Sequence, residues 1–167
     1  TEIYTLSLHD ALPIWLRAKG LFAASGVDVA CVATSVNFAF PDRALHAENL
    51  AAAKANLSLA ADLGAPVVRI FAGGKIPRLT PEAAAQVAAA FDEVGEFAAP
   101  MGVCPMLECG HDIIVGAAEA AEVIRRVGVA NFGALWNHAT LDDATYAVLK
   151  PRLRHFHVHE EIGRAHV

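Results

Sequence analysis

A parallel α/β sheet, covered by helices and closing in the manner of a barrel, is the fold class that this sequence predicts. Apolar strand-like and helix-like stretches alternate along the chain in the order α-β-α-β-α-β-α-β-α-β. The strands are apolar almost throughout, the pattern of a sheet buried on both faces. Three of them, residues 104–108 (CPMLE), 132–138 (FGALWNH) and 154–160 (RHFHVHE), end in residues of metal-ligand type. When successive strands of an alternating chain place their polar residues at one end, that end reads as the catalytic face of a parallel barrel. An enzyme is therefore expected.

Taken in order, residues 15–25 read as the tail of a helix stopped by Gly26, which suits the left-handed position after a last turn. Residues 27–35 (VDVACVATS) predict a strand. Pro41 and Asp42 open a long helix reaching Leu63, with Leu45, Leu50, Ala53, Leu57 and Ala60 near one face and Gly64 as its stop. Residues 66–71 (PVVRIF) predict the second strand and precede a glycine-containing loop over 72–75. Thr80, Pro81 and Glu82 supply a capping hydroxyl and a proline at the first helical position, for a helix to about Ala99. The third strand is expected over 103–108, a helix over 117–127 ending at Gly128, and the fourth strand over 132–137. Thr140 and Asp143 resemble a capping box for a short helix to Leu149. Pro151 breaks it, and the fifth strand is expected over 153–159.

The two termini do not fit this organisation. Residues 1–14 (TEIYTLSLHDALPI) back-translate codon by codon into a string that looks like a short-read sequencing-library adapter, and residues 161–167 (EIGRAHV) resemble the start of the opposite adapter. Both segments are expected to be non-biological, like a tag, leaving 15–160 as part of a larger domain. His9, Asp10 and His166 then carry no function.

Composition excludes several classes of function. The chain has 13 basic and 18 acidic residues, a formal charge of −5. An acidic protein offers no electrostatic footprint for nucleic acid or for an anionic membrane. Charges or turn residues interrupt each apolar run before about 18 residues, so no transmembrane helix is predicted, and a soluble cytoplasmic protein is expected. Cys31, Cys104 and Cys109 are odd in number and lack a C-x-x-C spacing, which argues against a disulfide framework or structural zinc and for small buried residues.

The segments LGAPVVRIFAGG, MLECGHD, GALWNH and HFHVHE resemble, in order, motifs of the sugar phosphate isomerase/epimerase group, the xylose-isomerase-like barrels. The similarity covers nearly all of residues 20–160. It implies a partial TIM (β/α)8 barrel of about five parallel strands, family strands three to seven. Family members hold one divalent metal (Mn, Mg, Co or Zn) at the strand ends with Glu, Asp, His and a second Glu. By position, Glu108 matches the first Glu and His157 the His, Asn137 stands where the Asp is expected, and the second Glu would lie on the eighth strand. A neutral amide oxygen is a weaker partner for a hard cation than a carboxylate, and His138 is an alternative ligand. The resemblance implies a sugar or polyol substrate and leaves open whether the parent is a homo-oligomer. The polypeptide as written is expected to be inactive.

Isomerisation or epimerisation next to a carbonyl needs a base for a carbon-bound proton and a positive group for the enediolate oxygen. Glu108 is the candidate base. Strand pleat puts His155, His157 and His159 on one side and Phe156 and Val158 on the other, which makes His155 and His159 candidate substrate-binding residues beside a ligating His157; His159 replaces a Lys of the family pattern. Arg69, within an apolar strand, either faces the barrel mouth and binds substrate or pairs with a buried acid such as Glu108 or Asp112. His111 and Asp112 are placed to orient Glu108 or contact substrate, with a helix-capping role equally open for Asp112. His46 reads as a surface residue and Trp136 as packing beside the site. The rival readings are an inosose dehydratase or hydroxypyruvate isomerase on the same scaffold, an abasic-DNA endonuclease, which the acidic charge disfavours, and a non-catalytic sugar-binding barrel.

Overall fold

A computed structural model describes residues 8–73, 76–138 and 140–157, with the side chains of 8–13 outside the description. The expectations for residues 1–7, for the Gly74–Lys75 part of the loop, and for Val158, His159, Glu160 and 161–167 lie outside the described residues.

The element order is α1 (Leu8–Ser25), β1 (Val32–Asn37), α2 (Arg43–Leu63), β2 (Val67–Phe71), α3 (Pro81–Ala98), β3 (Cys104–Cys109), α4 (Ala117–Ile124), β4 (Gly133–Trp136), α5 (Asp143–Leu149) and β5 (Leu153–Phe156). The five strands form one sheet in chain order, β1-β2-β3-β4-β5, and every neighbouring pair is parallel. That is the arrangement in which all strand C-termini share one edge.

Local chemistry sets the helix ends. Asp42 caps α2, its Oδ1 accepting from the backbone N–H of Ala44 at 2.7 Å and Leu45 at 3.3 Å, and Gly64 at φ 77° closes it. Thr80 Oγ1 accepts from Ala83 N at 3.2 Å at the start of α3. Helix α5 differs from expectation: its cap is Asp142, whose carboxylate accepts from Thr145 N at 2.8 Å, while the Thr140 carbonyl takes the Trp136 indole N–H at 3.1 Å. The helix starts at Asp143, so the residue just before it is the one that reaches the orphan N–H groups of the first turn.

Strand β1 lies about five residues later at its start than the apolar run suggested. Its pairing begins at Val32↔Val68, near the start of β2, and Val27 is left exposed. The polar residues that follow are accommodated because Thr34 Oγ1 donates to the Arg69 carbonyl at 2.8 Å. Helix α1 begins at Leu8 and runs through the expected boundary at residue 15, with Leu16 and Leu21 exposed.

The core lies between the sheet and α3. Val87, Phe91 and Val94 of that helix are fully buried, together with Val68, Ile70, Leu107 and Ala134 of the sheet. Phe91 sits edge-on to Phe38 and Phe132 at ring distances of 5.1 and 4.9 Å, a favoured aromatic geometry. The opposite face of the sheet has a small apolar floor of Val67, Met106 and Leu135, flanked by Cys31 and Cys104. Cys109 is buried on the helix side, and burial pushes its thiol well up, with the neighbouring Glu108 charge adding to the effect. Cys31 and Cys104 are half-buried and free.

Candidate active site at the strand C-termini

Alternation along each strand separates the residues of the helix side from those of the inner side. On the inner side, Val67 is followed by Arg69 and Phe71, Met106 by Glu108, and Leu135 by Asn137. Register sets their height: Glu108 pairs with Leu135, and Arg69 with Met106. β5 would break the pattern, because Leu153 belongs to the helix-side core and strict alternation would send His155 and His157 there too. A register irregularity prevents this. Ala134 pairs with Leu153 but Leu135 with His155, so Arg154 is an extra residue, and the ladder then continues through Trp136↔Phe156 and the 2.9 Å bond from His157 N to the Trp136 carbonyl. Such a bulge re-aims the side chains beyond it. It returns His157 to the inner side. Phe156 consequently points to the helix side, where it is 47 % exposed.

The Glu108 side chain is 1 % exposed and stands at the centre of the cluster. Its Oε2 lies 3.2 Å from Arg69 Nε, so the arginine does pair with this acid. Its Oε1 accepts from the Asn137 amide and lies 3.9 Å from His157 Nδ1. The ion pair is not a well-aligned hydrogen bond: Arg69 Nε, Arg69 Nη1 and Glu108 Oε2 are sealed from solvent without a hydrogen-bond partner. The guanidinium carbon sits 4.1 Å from the Phe71 ring centre, and the other neighbour of that ring is His111, at 5.5 Å. Sequence reasoning passed over Phe71. The signal was available, since a residue two positions beyond Arg69 in a strand shares its face.

Backbone conformation lets these ends converge. Gly110, at φ 82°, follows β3, and a Cβ there would meet His138 Cβ at 3.0 Å and the Asn137 carbonyl at 3.2 Å. Gly73, two residues past β2, lies against the Asp112 carboxylate, which a Cβ there would strike. Asp112 itself takes φ 57° within the tight turn closed by Gly110 N–Ile114 O at 2.7 Å. It caps no described helix: Gly116 starts α4, its N–H donating to Glu119 Oε2 at 3.2 Å.

The structure thus brings together Glu108, Arg69, Asn137 and His157, with the His155 ring 5.6 Å from that of His157 and His111 one ring further out. His138 is not in the cluster. It is exposed, its Nδ1 faces the Thr140 backbone N–H at 3.2 Å, and its ring tilts toward Trp136 at 6.2 Å. His159 lies outside the described residues. Trp136 is buried in the helix-side core, as expected, and His46 is half-buried with Nδ1 3.0 Å from the Phe38 carbonyl.

A divalent metal can be tested against these donors. Glu108 Oε1, the Asn137 amide and His157 Nδ1 converge from three adjacent strands, and a half-turn of the amide would present its oxygen. The set fits an oxygen- and nitrogen-seeking cation, with one carboxylate to hold it. Among the described residues, no group of three His, Cys, Asp or Glu side chains is placed for a metal.

The model of the xylose isomerase-like TIM barrel family matches residues 7–165. Among solved structures, 3-keto-D-glucoside 4-epimerase from E. coli in its apo form is 13 % identical with a TM-score of 0.75, covering 89 % of this chain and 65 % of its own. L-Ribulose 3-epimerase is 20 % identical with a TM-score of 0.75, covering 90 % of this chain and 58 % of its own. D-Psicose 3-epimerase, solved in the presence of D-fructose, is 17 % identical with a TM-score of 0.73, covering 89 % and 58 %. This chain therefore spans less than two thirds of the length of these structures. No curated protein matches it. No helix among the described residues is long and apolar enough to cross a membrane.

Proposed function

The chain belongs to the xylose isomerase-like TIM barrel family, and we propose that it is part of a sugar isomerase or epimerase acting by proton abstraction next to a carbonyl. One observation carries this reading. A carboxylate buried to 99 % of its surface stands at the C-terminal end of a central strand, with an amide and an imidazole directed at one oxygen and a guanidinium at the other.

In that role Glu108 takes the carbon-bound proton of a small keto-sugar, polyol-derived ketone or hydroxy-carbonyl compound. A positioned base of this kind contributes about 10²–10⁴-fold in rate. Asn137 and His157 fix the carboxylate, and the half-buried His155–His157 pair stands where a proton can be returned to the neighbouring oxygen or carbon. Arg69 offers positive charge to the enediolate oxygen. A divalent ion such as Mn, Mg, Co or Zn, held by Glu108, Asn137 and His157, would supply Lewis-acid polarisation of the carbonyl. The neutral Asn137 is the one observation favouring the other reading, a barrel that binds sugar without turnover.

Proton exchange separates the two. The full-length protein, incubated with D-fructose, D-psicose or L-ribulose in D2O, is expected to place deuterium at the carbon next to the carbonyl, and Glu108→Gln to lose that exchange while still binding sugar. Sugar binding without exchange in the wild type would establish the binding-only barrel.

A further inference from the structure

The guanidinium beside Glu108 is not held there by a hydrogen bond. Arg69 Nε lies 3.2 Å from Glu108 Oε2, but Nε, Nη1 and Oε2 all lack a hydrogen-bond partner, and all three are sealed from solvent. An arginine side chain has many rotamers to give up when it is fixed, and a misaligned pair selects among them only weakly. Another contact has to set its place.

Phe71 supplies that contact. Its ring centre is 4.1 Å from the Arg69 guanidinium carbon, well inside the range of about 6 Å over which an aromatic face attracts a cation. The two residues are two positions apart on β2 and so share its inner side. Ile70 pairs with Leu107, so the next residue along, Phe71, stands level with Glu108 on the neighbouring strand. The second partner of the ring is His111, 5.5 Å away and tilted by 44°, just past the end of the strand that carries Glu108. The contacts close a circuit that runs from Glu108 to Arg69, to Phe71, to His111 and back along the chain to Glu108. A half-buried ring already engaged by a guanidinium and an imidazole is a brace rather than an open platform for a sugar.

We propose that Phe71 is a positioning residue of this site: it fixes the Arg69 guanidinium and, through it, the Glu108 carboxylate, so that the base meets its substrate in one orientation. This rests on the enolising function proposed above. Phe71 touches no reacting atom, and its effect on the reaction passes through Arg69. Small displacements of a catalytic group are costly, about 10²-fold in rate for about 1 Å, so a ring that removes the freedom of its neighbour affects turnover rather than binding.

Two measurements on the full-length protein test this. In nuclear magnetic resonance of the 15N-labelled protein, the Arg69 Nε–H is expected to be as rigid as the backbone, with an order parameter of about 0.85, and to fall below about 0.6 in Phe71→Leu. In deuterium exchange with whichever of D-fructose, D-psicose and L-ribulose reacts fastest, Phe71→Leu should lower kcat about three- to tenfold, the scale of one partly desolvated cation–π contact. KM should stay unchanged, and Phe71→Tyr, which keeps a ring, should restore most of the rate. The double variant F71L/R69Q should be no slower than Arg69→Gln alone, because the ring then has no guanidinium to hold. A mobile Arg69 Nε–H in the wild type, or one equally rigid in Phe71→Leu, would overturn the proposal. So would a Phe71→Leu effect that falls on KM or persists in full beside Arg69→Gln. If the wild type exchanges no deuterium, the enolising function fails and the resonance measurement alone decides the brace.

Discussion

Along β2, β3 and β4, the residues that face the helices and those that face inward are one position apart and differ in every physical respect. Val68, Ile70, Leu107 and Ala134 are buried with no exposed surface in one core with residues of α2 and α3 and the Phe38, Phe91 and Phe132 rings. Their neighbours Arg69, Glu108 and Asn137 form a polar cluster with sealed atoms that lack hydrogen bonds. Each large apolar side chain on the first face contributes roughly 1.5–3 kcal/mol of burial, while each orphaned polar atom on the second costs about 1–3 kcal/mol. Stability is thus concentrated on the helix side, and the inner side keeps buried polar groups that the packing leaves without hydrogen bonds.

The largest expected effect tests the stabilising face. Phe91→Ala removes the ring that joins Phe38 to Phe132, and such a truncation typically costs about 3–5 kcal/mol. Urea unfolding should show a lower midpoint, with sugar affinity unchanged in the folded fraction. A cost under about 1 kcal/mol would mean that α3 does not lock the sheet as described.

A smaller effect, of opposite sign for function, is expected on the inner face. Asn137→Asp puts a second carboxylate against Glu108, which the neutral amide now contacts. Two carboxylates sharing a site repel when no cation lies between them, so the metal-free variant should be less stable than the wild type. The same pair should bind Mn2+ about tenfold or more tightly, since ligand charge tunes such sites over decades. Titration of Mn2+ followed by electron paramagnetic resonance reads this without any turnover. No gain in affinity would show that Glu108, Asn137 and His157 do not share a cation.

The difference between the faces also explains what the sequence revealed. Capping signals at Asp42, Thr80 and Gly64 act within a few residues, so the helices they bound were readable, and five strands in chain order followed from the alternation. The start of β1 was not readable, because pairing with β2 rather than apolarity decides where a strand begins. Glu108, Asn137 and His157 stood out as polar ends of apolar strands, and the structure brings those three together. The alternation of His155, His157 and Phe156 was readable, but their placement depends on the extra residue at Arg154, which belongs to the pairing of two strands and leaves no trace in either alone. Phe71 looked like one more apolar strand residue, and its contact with Arg69 exists only once the inner face is assigned.

The smallest expected effect concerns how the helix side supports β5 and, through it, His157. Asp142 caps α5, accepting from Thr145 N at 2.8 Å and Thr145 Oγ1 at 2.9 Å, and these bonds hold its carboxyl below the usual carboxylate range. A carboxylate whose folded pKa is depressed contributes stability above its unfolded value, near about 4, and loses it as pH falls through the folded value. Asp142→Asn keeps an acceptor at every pH but gives up the charge beside the helix start. Thermal unfolding should therefore place the variant slightly below wild type at neutral pH, with the gap closing as the solution is acidified below about 4. If the gap instead widened in acid, the carboxylate would be stabilised in its protonated form, and the cap would not be the device that fixes the start of α5.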